Sequence, residues 1–248
     1  YKNAEKEVVL NDNFFKLYKK FCPGPITFIL KKKIKSKIQS SVTANLNTVA
    51  VRFPSHRVAR SVLKKIDFPL AMPSANLSSG VSPVNAENVA DEFKKNIKLI
   101  INDGKSKIGI ESTVIDLTGK PKILRPGIIS PEIINKILKT RINIARKNLK
   151  FKSPGMLKRH YSPGIPVLLN QKTFNTKHAF ITFGKKYKNK KNHFNLSKKS
   201  NLKEAASNLY KTLRKIKKLK FKKIYVVRIP NKSVGIAIND RLKRASHE

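Results

Sequence analysis

Cysteine occurs once, at Cys22, and tryptophan not at all. A lone cysteine excludes an internal disulfide and a cysteine-built zinc site. No apolar run reaches the roughly 20 residues that span a bilayer, so no membrane partner is expected. The opening Tyr1-Lys2-Asn3-Ala4-Glu5-Lys6-Glu7 is charged and lacks the apolar core of a secretory signal; a cytoplasmic protein is expected. Several signatures of chemistry are missing too. There is no Gly-x-x-x-x-Gly-Lys-Ser/Thr, no Gly-x-Gly-x-x-Gly, no His-Glu-x-x-His and no Gly-x-Ser-x-Gly. Any nucleotide site is therefore not a standard P-loop. Glycine is scarce as well: of 10, seven lie between Gly80 and Gly164, so special backbone is concentrated mid-chain. No internal repeat is present.

Acidic residues are few, 14 against 55 Lys and Arg, giving a net charge of +41 over 248 residues. Such an excess suits nucleic acid, and tRNA or double-stranded RNA is one expected partner. Yet only 11 of those cations are arginine, and Lys, Asn and Ile are abundant together, the pattern of an AT-rich coding sequence. The lysines also run the whole length of the chain. Where Lys is the default cation, each Arg hints that a planar, bidentate fork is needed.

The length allows one large domain or two ordinary ones. Asn13 to Phe21 reads as a short helix with Phe14, Leu17, Tyr18 and Phe21 on one face, stopped by Cys22-Pro23-Gly24-Pro25. Ile26 to Leu30 and Thr48 to Phe53 read as strands. His56 to Lys65 reads as a helix carrying Val58, Val62 and Leu63 inward, and Asn85 caps another that runs to about Lys94. Ile97 to Asn102, Val114 to Leu117 and Lys122 to Leu124 read as strands, and Pro131 to Thr140 as a helix. From Val167 on, strands and helices alternate, which predicts a small parallel-sheet domain. Within it, Leu202 to Lys218 and Ile236 to Ala245 are the expected helices.

The stretch Pro69 to Gly80 reads as a buried apolar strand ending abruptly at Pro73 in a polar cluster with Ser74 and Asn76. An α/β protein presents a ligand at such a strand tip. Arg52 ends one strand, Glu111-Ser112-Thr113 precedes another, and Arg125-Pro126-Gly127 follows a third. Three strand-adjacent sites bearing Arg or hydroxyls favour a shared pocket over unrelated loops. The expectation is that Arg52, Ser74, Ser112 and Arg125 meet around one cavity.

These pieces resemble the threonylcarbamoyl-AMP synthases, in the long form that adds a second domain to a YrdC-like one. The matching motifs, in family order, are Pro23-Gly24-Pro25-Ile26-Thr27, Val49-Ala50-Val51-Arg52-Phe53-Pro54, Pro73-Ser74-Ala75-Asn76-Leu77-Ser78, Glu111-Ser112-Thr113-Val114-Ile115-Asp116 and Leu124-Arg125-Pro126-Gly127. The linker Ser153-Pro154-Gly155-Met156 with Arg159-His160-Tyr161, and Ala237-Ile238-Asn239-Asp240-Arg241-Leu242, match the long form.

The resemblance implies an α/β fold: a twisted mixed sheet with helices, then a linker, then a smaller Rossmann-like domain. Implied boundaries are 1–147, 148–165 for a linker closing the active site, and 166–248. It implies a nucleotidyltransferase of tRNA processing that makes threonylcarbamoyl-AMP and pyrophosphate from L-threonine, bicarbonate and ATP. Mg²⁺ is expected with ATP, and downstream tRNA threonylcarbamoyl-transfer proteins are expected to receive the product. No protein nucleophile is required; positioning and charge stabilisation dominate. By the resemblance Arg52 grips the threonine carboxylate, with Ser112 and the backbone at Met72 completing that site. Thr48, Ser74, Ser82 and Arg125 hold ATP, Asn76 orients phosphate or water, and Tyr161 closes over the nucleotide. Arg52, Ser74 and Asn76 are the expected catalytic set, and no residue is implied as a metal ligand. The family's opening motif, with its Lys, lies upstream of Tyr1, so the chain alone is expected to be inactive or nearly so. The rival expectation is a basic RNA-binding α/β module without catalysis; a catalytically dead scaffold is a third.

Overall fold

A computed structural model describes residues 1–145, 160–172, 177–187 and 190–246. The linker motif Ser153-Pro154-Gly155-Met156 and Arg159 lie outside them. The chain forms two compact units: Tyr1–Pro73 with Glu111–Met156, and Ser74–Ile110 with Leu157–Glu248.

In the first unit, α1 (Lys2–Glu5) is a single turn before α2 (Asp12–Phe21). The Asn11 side chain caps α2 by accepting the Phe14 N–H at 3.0 Å, and Cys22-Pro23 ends it. Its apolar spacing buries Phe14 and Leu17, and Phe14 meets Phe28 edge to face at 4.9 Å. Phe28 belongs to β1 (Ile26–Lys31), the second strand of a mixed sheet. Beside it run β2 (Thr48–Arg52), then, after α3 (Arg57–Lys64) and, in the other unit, α4 (Ala86–Phe93), β3 (Thr113–Asp116), β4 (Lys122–Arg125), α5 (Pro131–Leu138) and β5 (Asn143–Ile144). The order is β2-β1-β3-β4-β5. β1 pairs antiparallel with β2 and parallel with β3; β3 pairs antiparallel with β4, and β4 parallel with β5. Because strand side chains alternate, one face carries Ile26, Phe28, Leu30, Ile115 and Ile123, which form a core with Phe14, Leu17, Ile134 and Leu138 from α2 and α5. Each such fully buried Leu, Ile or Phe contributes about 1.5–3 kcal/mol.

The second unit holds a four-stranded, all-parallel sheet in the order β6-β9-β7-β8. Its strands are β6 (Val167–Leu168), β7 (Ala179–Thr182), β8 (His193–Asn195) and β9 (Ile224–Val226); α6 (Leu202–Lys218) and α7 (Gly235–Ala245) join α4 as helices of this unit. β7 is buried throughout, as a central parallel strand must be. Asn201 caps α6 by accepting the Lys203 and Glu204 N–H groups. α6 buries Ala205, Ala206, Leu209, Leu213 and Ile216 at helical spacing.

Several expectations are corrected. Residues 69–72 form no strand: Leu70 is 41% and Met72 72% exposed. Residues 97–102 form none either, with Leu99 75% and Ile101 60% exposed. α3 buries no residue, and Val62 is exposed. An apolar run becomes a strand only when a neighbouring strand takes its backbone hydrogen bonds, and neither stretch pairs with one. Conversely β5 and β8, short and polar, were not expected; pairing with β4 and β7 makes them strands.

Candidate functional site

Register builds the first cluster. Thr27 of β1 lies opposite Arg52 of β2 and beside Val114 of β3, and Val114 lies opposite Arg125 of β4. These four thus form one row across the sheet, on the face turned away from α2 and α5. A bulge between β3 and β4 shifts the register after Val114. It lets Leu124 join Ile29 and Val114 in a small apolar cluster while Arg125 stays in the polar row. Ser112, two residues before Val114, falls on the same face.

Hydrogen bonds fix that row. Thr27 Oγ1 and Ser112 Oγ are 2.7 Å apart. The Arg125 guanidinium donates to the Ser112 carbonyl at 3.1 Å and to its Oγ at 3.2 Å. Ser112 itself is 4% exposed. Arg52 Nε donates to the Gly24 carbonyl at 3.2 Å, leaving its terminal nitrogens without an acceptor among the described residues. Two glycines permit these approaches. A Cβ on Gly24 would stand 2.0 Å from the Phe21 carbonyl oxygen. One on Gly127 would stand 2.4 Å from the Thr113 nitrogen, so the Arg125-Pro126-Gly127 turn can lie against Glu111 to Thr113.

The electrostatics point to an anion. Desolvation of the guanidinium, and then repulsion from Arg125, pull Arg52 below its ordinary value, although the residue as a whole is exposed. Two cations held near enough to influence each other suit an anionic ligand. Burial pushes the nearby Cys22 thiol up to about 12. It stays protonated and is no nucleophile.

The remaining predicted residues divide between the units. Thr48 begins β2 on the Arg52 face, four residues and about 13 Å of strand away. Met72 is exposed in the first unit. Ser74, Asn76, Ser82 and Tyr161 belong to the second. The structure therefore brings Arg52, Ser112 and Arg125 together, while Ser74 sits in the other unit. There Asn76 braces a turn, donating from Nδ2 to the Leu77 and Gly80 carbonyls at 2.8 and 3.3 Å. Arg214 of α6 donates to the carbonyls of Val81 and Ser82 and pairs with Glu92 at 2.8 Å. Glu92 in turn accepts the Leu77 N–H, and the Ser162 N–H bonds to the Ser79 carbonyl. Tyr161, 1% exposed, stacks on Tyr210 with centroids 5.6 Å apart and lies under the Arg241 guanidinium at 5.3 Å. Arg241 is paired with Asp240 at 2.9 Å.

Sequence reasoning missed Thr27 and Arg214. Thr27 had a signal, the only hydroxyl in an apolar strand. Arg214 had only its rarity among lysines. No group of three or more His, Cys, Asp or Glu comes together among the described residues. They offer no carboxylate set for Mg²⁺, and no protein ligand for it is assigned.

Comparison with known proteins gives concordant results. The Sua5–YciO–YrdC family model, described as telomere recombination, matches residues 2–127. A model described as the threonylcarbamoyl-AMP synthase C-terminal domain matches residues 129–247. A threonylcarbamoyl-AMP synthase of Pyrococcus abyssi is 35% identical over 93% of this chain and 72% of its own length. One of Bacillus subtilis is 32% identical over the same shares, 93% and 72%. A crystal structure of P. abyssi Sua5 complexed with L-threonine superposes with a TM-score of 0.88 at 31% identity, covering 99% of this chain and 77% of that one.

Proposed function

We propose a catalytic reading from one premise: the chain belongs to the threonylcarbamoyl-AMP synthase family. Its reaction joins L-threonine, bicarbonate and ATP. The threonine amine and bicarbonate form a carbamate with loss of water. A carbamate oxygen then bonds to the α-phosphorus of ATP as the bond to pyrophosphate breaks, leaving threonylcarbamoyl-AMP for tRNA modification.

The roles of single residues are our proposal, supported above all by one observation: sheet register sets Arg52 and Arg125 in one row with the Thr27–Ser112 hydroxyl pair. Arg52, with terminal nitrogens to donate, takes the threonine carboxylate, and Ser112 and the Met72 backbone complete that subsite. Arg125, oriented by Ser112, takes phosphate, and Thr48, Ser74 and Ser82 hold the rest of ATP. Charge transferred to the departing pyrophosphate is stabilised by fixed N–H donors, the kind of term that dominates when no covalent intermediate forms. The Asn76 N–H₂ is engaged by two carbonyls, so its buried Oδ1 can only accept, which favours orienting a water over binding phosphate. Tyr161 closes over the nucleotide by leaving its stack on Tyr210. Mg²⁺ would accompany ATP as part of the substrate and would offset phosphate charge, with no residue of this chain assigned to hold it. We assign residues 1–147 to the catalytic domain, counting in it the Ser74–Ile110 stretch that belongs to the second compact unit, with 148–165 as the linker and 166–248 as the C-terminal domain. The product passes to tRNA threonylcarbamoyl-transfer proteins. No helix among the described residues is long and apolar enough to cross a membrane, and a single cysteine suits the cytoplasm we propose.

The test is pyrophosphate release that requires both threonine and bicarbonate. Arg52→Ala should raise the threonine KM about tenfold or more. An unchanged KM removes Arg52 from the carboxylate. Steeply salt-dependent RNA binding with no such release would favour the RNA-binding module instead.

A further inference from the structure

In an all-parallel sheet every strand delivers its following loop to the same edge, and ligands of open α/β sheets bind in the crevice there. The second sheet has such a crevice. Asn170, Gln171 and Lys172 follow β6, Phe183, Lys186 and Tyr187 follow β7, and Arg228 and Pro230 follow β9. β6, β9 and β7 are adjacent in the sheet, and these residues line one cavity of about 710 Å³. That lies within the roughly 300–1,000 Å³ of small-ligand sites.

Its chemistry is one-sided. Lys172, Lys186 and Arg228 line the cavity and, among the described residues, no acidic one does. Among the described residues none of the three has an acidic partner, while Arg214, Lys218, Arg241 and Arg244 of the same unit are all paired. Lys186 Nζ instead sits over the Tyr187 ring at 5.2 Å, and that ring packs edge-on against Phe180 of β7 at 6.0 Å. The Gln171 amide is oriented too: its Nε2 donates to the Leu169 carbonyl at 2.8 Å, and its backbone N–H to Val226 at 2.9 Å.

We propose that this crevice binds a nucleoside diphosphate, as a second site independent of Arg52 and Arg125. Three unpaired cations match two phosphates. Phe183 and Tyr187 supply ring walls for a base, and Asn170 and Gln171 supply amide donors and acceptors for its edge. With no glycine-rich turn, the phosphates are held by side-chain charge.

The test titrates ADP into the full chain carrying Arg125→Ala, which removes the phosphate hold proposed for the first site. Saturable binding of one ADP should persist there. It should weaken about tenfold or more on adding Lys186→Ala or Arg228→Ala, both exposed positions, with the melting temperature unchanged. Inorganic pyrophosphate should compete, more weakly than ADP. No saturable ADP binding in the Arg125→Ala background overturns the proposal, and so does binding indifferent to Lys186→Ala and Arg228→Ala. Tight, salt-sensitive binding of a short single-stranded RNA with no ADP binding overturns it in favour of nucleic acid. Failure of the first site reads differently: threonine-dependent pyrophosphate release that survives Arg125→Ala counts against that reading and leaves this one standing.

Discussion

The two sheets present charge in opposite ways. At the polar end of the mixed sheet, Arg52, Thr27 and Arg125 sit in the strands themselves, and register sets their spacing. At the loop edge of the parallel sheet, Lys172, Lys186 and Arg228 sit beyond the strands, in connections. Strand positions are tied to the core by every backbone bond of the ladder. Connections need ties of their own, as Arg214 provides for the stretch Leu77 to Ser82. Geometry borrowed from a sheet suits bond-making, which tolerates little misplacement. Geometry from loops suits binding.

Breaking the first arrangement should have the largest effect. Arg125→Ala should lower the rate of threonine- and bicarbonate-dependent pyrophosphate release about 10²–10³-fold, as loss of one fixed donor to developing charge does; a loss under threefold would show that strand-held charge is not what stabilises the leaving group. Next, Gly127→Ala forces a methyl to within 2.4 Å of the Thr113 nitrogen. It should cost about 2–4 kcal/mol, read as a lower melting temperature together with lost activity. Arg214→Ala leaves Glu92, 15% exposed, without its cation and two carbonyls without their donor. A cost of about 2–3 kcal/mol is expected. Hydrogen exchange at the Leu77 and Gly80 amides should speed up while that of β1 does not; equal change in both would dissolve the distinction between register and tie. Smallest in consequence is Cys22. With its thiol near 12, alkylation by iodoacetamide at pH 8 should run on the order of 10³ more slowly than for an unperturbed thiol. The sign follows from burial of the neutral form: the folded state keeps its proton while the unfolded chain loses one, so stability falls as pH climbs from about 9 toward 12.

What was readable in the sequence follows the same division. α2, β1, β2 and α6 were legible because caps, breakers and apolar periodicity lie within each segment. Arg52, Ser112 and Arg125 were legible because each stands at the end of such a strand. The pairing of Thr27 with Ser112 was not, since they are 85 residues apart and only sheet order joins them. Residues 69–72 and 97–102 misled for a related reason: their apolarity is local, but a strand needs a neighbour, and a neighbour is not written in the segment. The role of Arg214 was hidden because its partners come from the middle of the chain.

The middle of the chain has a consequence for synthesis. Ser74–Ile110 folds with residues that follow Leu157, between the two portions of the first unit. A ribosome therefore releases this segment long before Arg214 or Ser162 exist to receive it, and β1 and β2 must wait across it for β3. Neither unit is made as one continuous stretch of chain. A nascent or prematurely terminated chain ending near residue 147 carries a stretch whose anchors were never made, and its exposed apolar residues are what a chaperone or protease would meet first.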